Sequence, residues 1–134
     1  MKNEHTIEHR VTYKETDQMG VVYYSNYLVW FEMARTEYFR SRGMVYKQLE
    51  DKEKIYLPVA ESQCRYKASL GYDDVVEVTA RLTDMGNSRL TFGYEVRKDG
   101  KVTTTGMTKH AFIDAKGKPV SMPEKVKKAL GGTT

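Results

Sequence analysis

The stretch from Tyr27 to Tyr38 limits what this chain can fold into more than any other. Tyr27, Trp30, Phe31, Ala34 and Tyr38 recur at helical spacing, and Leu28, Val29 and Met33 leave little polar surface in the first two turns. A helix that is apolar nearly all round at its start must be buried nearly all round there. Ser25 or Asn26 is the expected N-cap, and Gly43 the natural terminator after Arg40 and Arg42, whose charges suit the helix dipole. The later half, with Arg35, Glu37, Arg40 and Arg42, is polar enough to reach solvent.

Something has to wrap that helix, and the remaining chain supplies strands. Ile7 to Tyr13 reads as a first strand, ended by a turn over Glu15 to Gly20. After the helix, Met44 to Lys54 is a short charged connection with a helical turn. Ile55 to Ala68 follows as a strand whose Pro58 confines that end to an edge or a strand start. Val76, Val78, Ala80 and Leu82 alternate with polar residues, as do Leu90, Phe92, Tyr94 and Val96. Met85 to Ser88 and Asp99-Gly100 are hairpin turns, and Val102 to Asp114 returns as a further strand. Met122-Pro123-Glu124 opens a short helix to about Leu130, after which the chain should fray. The expected architecture is α+β: an antiparallel sheet of about five strands around one long central helix, with all of residues 1–134 in a single domain. One sheet and one helix leave a sheet edge or face exposed, which favours dimerisation.

Composition excludes several classes. A hydrophobic content of 40% with 30% charged residues is that of a soluble globular protein, and no apolar run approaches a membrane span. One cysteine, Cys64, rules out an intramolecular disulfide and fits a reducing cytoplasm; the expected localisation is cytoplasmic. The net charge of +4 could suit nucleic acid, but basic residues are scattered among acidic ones rather than gathered in a stripe, so no nucleic acid partner is expected. His5, His9 and His110 lack metal-ligand spacing, and no phosphate-binding glycine loop or nucleophile elbow occurs, so no metal is expected.

The chemistry that remains rests on carboxylates and backbone dipoles. Asp17 stands a few residues before the apolar run Val21 to Tyr24 and the helix start. A helix start presents unpaired N–H groups and partial positive charge that can hold a developing oxyanion. A carboxylate beside it is the minimum needed to attack an activated carbonyl. The competing reading is plain turn chemistry, which Thr16-Asp17 before Gly20 also satisfies. Glu32, inside the apolar part of the helix, is either held structurally by an ion pair such as one with Arg35 or is a second acid/base group facing the same pocket.

The run Thr16-Asp17-Gln18-Met19-Gly20-Val21-Val22-Tyr23-Tyr24-Ser25-Asn26-Tyr27, continued by Trp30-Phe31-Glu32-Met33-Ala34-Arg35, resembles the signature of hotdog-fold acyl-CoA thioesterases of the 4-hydroxybenzoyl-CoA thioesterase and YbgC-like branch. Tyr72 to Val75 and Lys118 to Pro123 support the resemblance, which spans nearly the whole chain. It implies hydrolysis of acyl-CoA to free acid and CoA, with Asp17 as general base or nucleophile. Backbone N–H groups at Tyr24, and at Ser25, would polarise the thioester carbonyl, with Glu32 as a further candidate. It also implies a homodimer whose sheets join into one, with the site at the subunit interface; a homotetramer is the further assembly expected, though the sequence does not decide between dimer and tetramer. CoA belongs to the substrate, and no cofactor is implied. Two departures stand out. Tyr24 occupies a position where YbgC-like members commonly carry histidine, and the turn Met85 to Arg89 offers only Arg89 to a CoA phosphate. A non-catalytic hotdog protein that binds acyl-CoA or acyl-carrier protein is the alternative.

Overall fold

The structure is a computed structural model that describes residues 3–131. Strand β1 is Glu4–Arg10, helix α1 Ser25–Ser41, helix α2 Tyr46–Glu53, β2 Val59–Tyr66, β3 Val75–Met85, β4 Arg89–Lys98, β5 Lys101–Ala111 and helix α3 Glu124–Gly131. The strands make one antiparallel sheet in the order β1-β3-β4-β5-β2, so β1 and β2 are its edges.

Alternation decides which face is inside. Val76, Val78, Ala80 and Leu82 of β3 and Leu90, Phe92, Tyr94 and Val96 of β4 are all buried, as the period-2 pattern predicts. They receive α1, whose Tyr27, Trp30, Phe31, Ala34, Tyr38 and Phe39 are buried beneath the sheet. Phe31 stacks on Tyr94 with ring centroids 4.3 Å apart. Opposite Tyr94 in the ladder stands Gly106, where a Cβ would overlap the Phe31 ring. The absence of a side chain there is what lets the helix approach β5.

Several boundaries differ from the sequence reading, each for a local reason. β1 begins earlier and stops at Arg10, because Val11 exchanges backbone hydrogen bonds with Asp73 and Asp74 instead of continuing the ladder. The charged connection is a full two-turn helix, α2, closed by Lys54 in the left-handed region (φ 56°). β2 starts only after Pro58; before it, Tyr56 bridges to Ile113. The inward face of β5 is polar, with Thr104, Thr108 and His110 buried. The stripe Leu28, Val29 and Met33 is exposed on α1, whereas Arg35, expected toward solvent, is 8% exposed. The helix is therefore buried along one side of its length rather than all round at its start. Among the described residues no helix is long and apolar enough to cross a membrane.

Candidate active site

Residues 13 to 24 are a folded-back loop pinned onto α1 by a carboxylate the sequence reading passed over. Glu15 ends a single turn of 3-10 helix, Tyr13–Glu15. Its carboxylate accepts hydrogen bonds from the Thr12 amide (2.8 Å), the Trp30 indole (2.7 Å) and His9 (3.0 Å). Burial pushes the Glu15 carboxyl up, but the bonds from Trp30, Thr12 and His9 outweigh it and hold the group below its ordinary value. The Glu15 carbonyl accepts the Tyr23 amide (2.9 Å) and the Asn26 side-chain amide (2.9 Å), which ties both ends of the loop to the helix start. The signal was there: Thr12-x-x-Glu15 is the capping-box pattern.

Asp17 sits inside this loop in a different state. Its N–H donates to the Val21 carbonyl (2.9 Å), its carbonyl accepts from Gly20 (3.0 Å), and its Oδ1 accepts from the Met19 amide (2.8 Å). Gly20 turns the chain at φ +81°, a backbone conformation that favours glycine. The turn reading of Asp17 is thus real, but it engages one carboxylate oxygen; Oδ2 has no protein partner among the described residues. Asp17 is half-buried and close enough to add to the rise of the Tyr23 phenol, whose main cause is its hydrogen bond with Tyr24.

The helix start is open. α1 has no side-chain cap: Asn26, an expected N-cap, uses its amide on Glu15, and Tyr24 occupies the cap position with helical dihedrals. The Tyr23 amide is taken by Glu15, the Asn26 amide by Tyr23 and the Tyr27 amide by Tyr24. The N–H groups of Tyr24 and Ser25 have no acceptor among the described residues. Two adjacent unpaired donors at a helix start are what an anion or a polarised carbonyl requires. A cleft of about 430 Å³ opens beside them, walled by Val21, Tyr24, Tyr27, Tyr66 and Ser69. Tyr66 closes it by donating to the Tyr24 carbonyl (3.5 Å) and packing edge-on against Tyr27 at 5.2 Å.

A family model described as the thioesterase-like superfamily matches residues 11–130. The chain belongs to that superfamily. It is 30% identical to the acyl-CoA thioesterase YbgC of Haemophilus influenzae over 90% of each chain. Among solved structures it resembles a hypothetical protein from Aquifex aeolicus (37% identical, TM-score 0.89, covering 93% of this chain and 98% of that one). It also resembles the DHNA-CoA thioesterase of Staphylococcus aureus (31% identical, TM-score 0.92, covering 96% and 89%). The thioesterase therefore has the hotdog fold that its sequence resembles.

Within one chain of this thioesterase, the candidate residues are not all neighbours. Asp17, Tyr24 and Ser25 share the loop and the helix start. Of the three, Tyr24 lines the cleft, and Glu32 does not. It is exposed and lines a second cavity of about 450 Å³ with Arg35, Tyr46, Leu57 and Val59, and it makes no ion pair with Arg35. Arg89, exposed at the start of β4, pairs with Ala111 at the end of the sheet where β2 begins, whereas Tyr66 and the Asp17 loop lie where β2 ends. Eight strand residues separate those ends, roughly 26 Å at the usual rise. Helical spacing places Glu32 along the axis but not around it; the buried side of α1 decided its direction. Among the described residues no three His, Cys, Asp or Glu side chains stand together to hold a metal ion.

Proposed function

We propose that this thioesterase hydrolyses acyl-CoA thioesters through Asp17, with the unpaired N–H groups of Tyr24 and Ser25 holding the carbonyl oxygen. The observation that carries the reading is one carboxylate oxygen and two amides left without protein partners among the described residues, within the single segment that runs from the Asp17 turn into the first turn of α1. As a general base, Asp17 takes a proton from water while the water oxygen bonds to the thioester carbon. The carbonyl electrons move onto oxygen, where the Tyr24 and Ser25 amides and the dipole of α1 stabilise them. Collapse breaks the C–S bond and expels CoA thiolate, which recovers a proton from the Asp17 carboxyl or from solvent. As a nucleophile, Asp17 would instead bond to the thioester carbon and expel CoA thiolate, leaving a mixed anhydride that water opens to the free acid and the Asp17 carboxylate. With tyrosine at position 24, no histidine shares the proton transfer, so Asp17 carries it alone. No cofactor is needed for either route.

The working unit we infer is a homodimer joined through β2. That strand is an unpaired edge with Val59 and Tyr66 about half exposed, and sheet edges of this length are normally covered. Two copies of one strand, paired antiparallel about a twofold axis, set the start of each beside the end of the other. The Asp17 loop of one protomer then meets the Glu32 cavity and the Arg89 end of its partner. Glu32 becomes a wall of the partner's site, and Arg89 is placed for a CoA phosphate. Pairing of dimers into a tetramer would cover the remaining exposed stripe of Leu28, Val29 and Met33 on α1. The lone, half-buried Cys64 thiol suits a cytoplasmic setting.

The test is thiol release from a panel of acyl-CoA esters by wild type and Asp17→Asn. Loss of about 10²- to 10⁴-fold in kcat, with an unchanged melting curve and unchanged size in solution, is expected. Near-full activity of the Asn variant would remove Asp17 from the chemistry. Tight acyl-CoA binding by wild type without thiol release would favour a carrier role on the same fold.

A further inference from the structure

Arg35 has no role in the reaction above, yet it is the most deeply buried cation of the described residues, 8% exposed beneath the sheet. Its Nη1 donates to the Tyr94 hydroxyl at 2.9 Å. A line of bonds continues from there: Tyr94 to Thr108 at 2.6 Å, Thr108 to His110 Nε2 at 2.7 Å, and His110 Nδ1 to the Leu57 carbonyl at 3.3 Å. One proton order satisfies every member. Because Arg35 only donates, Tyr94 accepts from it and donates to Thr108, Thr108 donates to a neutral His110, and the His110 Nδ1–H donates to Leu57. Burial, then the charge of Arg35, lowers His110 to about 4, which agrees with the neutral ring this order demands.

The line fixes Arg35 without neutralising it. No carboxylate lies within 4.0 Å of the guanidinium among the described residues, and its hydrogen-bond partner is one neutral phenol. A buried cation without a counter-ion is costly, which makes one that borders a cavity a candidate contact for an anionic ligand. Arg35 forms part of the wall of the 450 Å³ cavity beside Leu57 and Val59. Tyr46 shares that wall; its oxygen accepts the Leu57 amide at 3.0 Å, which leaves its own proton to be donated elsewhere. Glu32, exposed, and Glu50, half-buried like Tyr46, line the same cavity with the exposed Lys47; both carboxylates add to the rise of the Tyr46 phenol that burial causes, and Arg35 opposes it, so Arg35 is the one fully buried charge of the lining.

We propose that Arg35 and Tyr46 form the receptor for the far end of the acyl group, and that this thioesterase selects acyl-CoA esters whose acyl group ends in a carboxylate. The proposal rests on the Asp17 reading and on β2 pairing, which brings this cavity to the partner's thioester site. Ten residues of α1, about 15 Å, separate Arg35 from its own chain's Ser25. A terminal carboxylate accepts the guanidinium fork and the Tyr46 hydroxyl together, and it supplies the missing negative charge. A hydrocarbon end leaves those donors stranded, and a hydroxyl end can satisfy only part of them.

The test compares kcat and KM on length-matched pairs: glutaryl- with pentanoyl-CoA, adipoyl- with hexanoyl-CoA, and suberoyl- with octanoyl-CoA. Wild type, Asp17→Asn, Arg35→Gln, Arg35→Lys and Tyr46→Phe are assayed side by side. Wild type is expected to favour the ω-carboxyl member of at least one pair by about 10- to 100-fold in kcat/KM. Arg35→Gln collapses that ratio through the KM of the ω-carboxyl ester, and Tyr46→Phe erodes it by about fivefold. Should Arg35→Gln not fold, Arg35→Lys carries the test, because it keeps the charge and loses the fork. Inhibition of wild type by free adipate but not by hexanoate gives a second readout that needs no variant. A wild type that prefers the alkanoyl member of every pair, or a ratio that survives Arg35→Gln or Arg35→Lys, overturns the proposal. An Asp17→Asn variant that still turns over with its selectivity intact would instead sink the assignment of the base and leave the receptor standing.

Discussion

The two ends of α1 use hydrogen bonds in opposite ways. At its start, the Tyr24 and Ser25 amides and one oxygen of Asp17 are left without protein partners, while the neighbouring Glu15 accepts three bonds. Near its other end, Arg35 heads a line in which Tyr94, Thr108 and His110 are each bonded on both sides. One helix therefore carries unpaired groups at its first turn and a fully bonded line ten residues later. The lesson is that unpaired groups inform only when their surroundings are over-determined: Asp17 is conspicuous because Glu15, two residues away, is saturated.

That contrast can be broken by exchanging the fates of the two carboxylates. Asp17→Asn should cost activity and not stability, as set out above. Glu15→Ala should do the reverse first, because it strands the Trp30 indole and His9 in a half-buried place and removes the acceptor of the exposed Thr12 amide. A loss of roughly 3–5 kcal/mol is expected, as when one partner of a buried network is removed. In urea unfolding this appears as a lower midpoint at unchanged m-value. If Glu15→Ala melted like wild type while losing activity, Glu15 rather than Asp17 would be the functional carboxylate.

How far the sequence revealed this follows the same division. The strand alternation of β3 and β4, the Asp99-Gly100 hairpin and the extent of α1 were legible because each is written locally, in period or in turn chemistry. The family was legible through the resemblance carried by the Asp17 stretch, whereas the role of Asp17 itself is what the assay above tests. Arg35 was not: read along the helix it belongs with the polar half, and only the sheet's arrival on that side buries it. Nor does the sequence show what His110 does, since its partners Thr108 and Leu57 are set by β5 pairing and by the chain before β2. The direction of Glu32 failed for the same reason, because rise per residue gives depth along an axis and not the side faced.

The support end has its own pH signature. Burial, then the charge of Arg35, holds His110 down to about 4 in the folded chain against 6.5 when free, so between those values the unfolded chain holds a proton that the folded one lacks. Stability contributed by the neutral ring is fully present above about pH 6.5 and is lost as pH falls through the window toward 4. The loss amounts to about 3 kcal/mol at its limit. Glu15, whose carboxyl is held below its ordinary value, acts in the same direction but lower, below about pH 4.5. Urea titrations of wild type and His110→Gln at pH 7 and pH 5 separate the two. The wild type should lose more stability over that interval than the variant, and equal losses would mean that His110 is not the titrating group.

The smallest effect sharpens the comparison most. Tyr94→Phe removes one hydroxyl and keeps the ring that stacks on Phe31. It cuts the line between Arg35 and Thr108 without opening the sheet. A stability cost of about 1–2 kcal/mol is expected for the two bonds lost in a buried place. The Asp17 chemistry lies in a different protein segment, so kcat on a short alkanoyl-CoA should change little, whereas the ω-carboxyl preference should weaken because the guanidinium is no longer held in one position. A Tyr94→Phe variant that loses kcat on every ester alike would show instead that the two ends of α1 are coupled, and that the open turn at Tyr24 depends on the rigidity of the line below it.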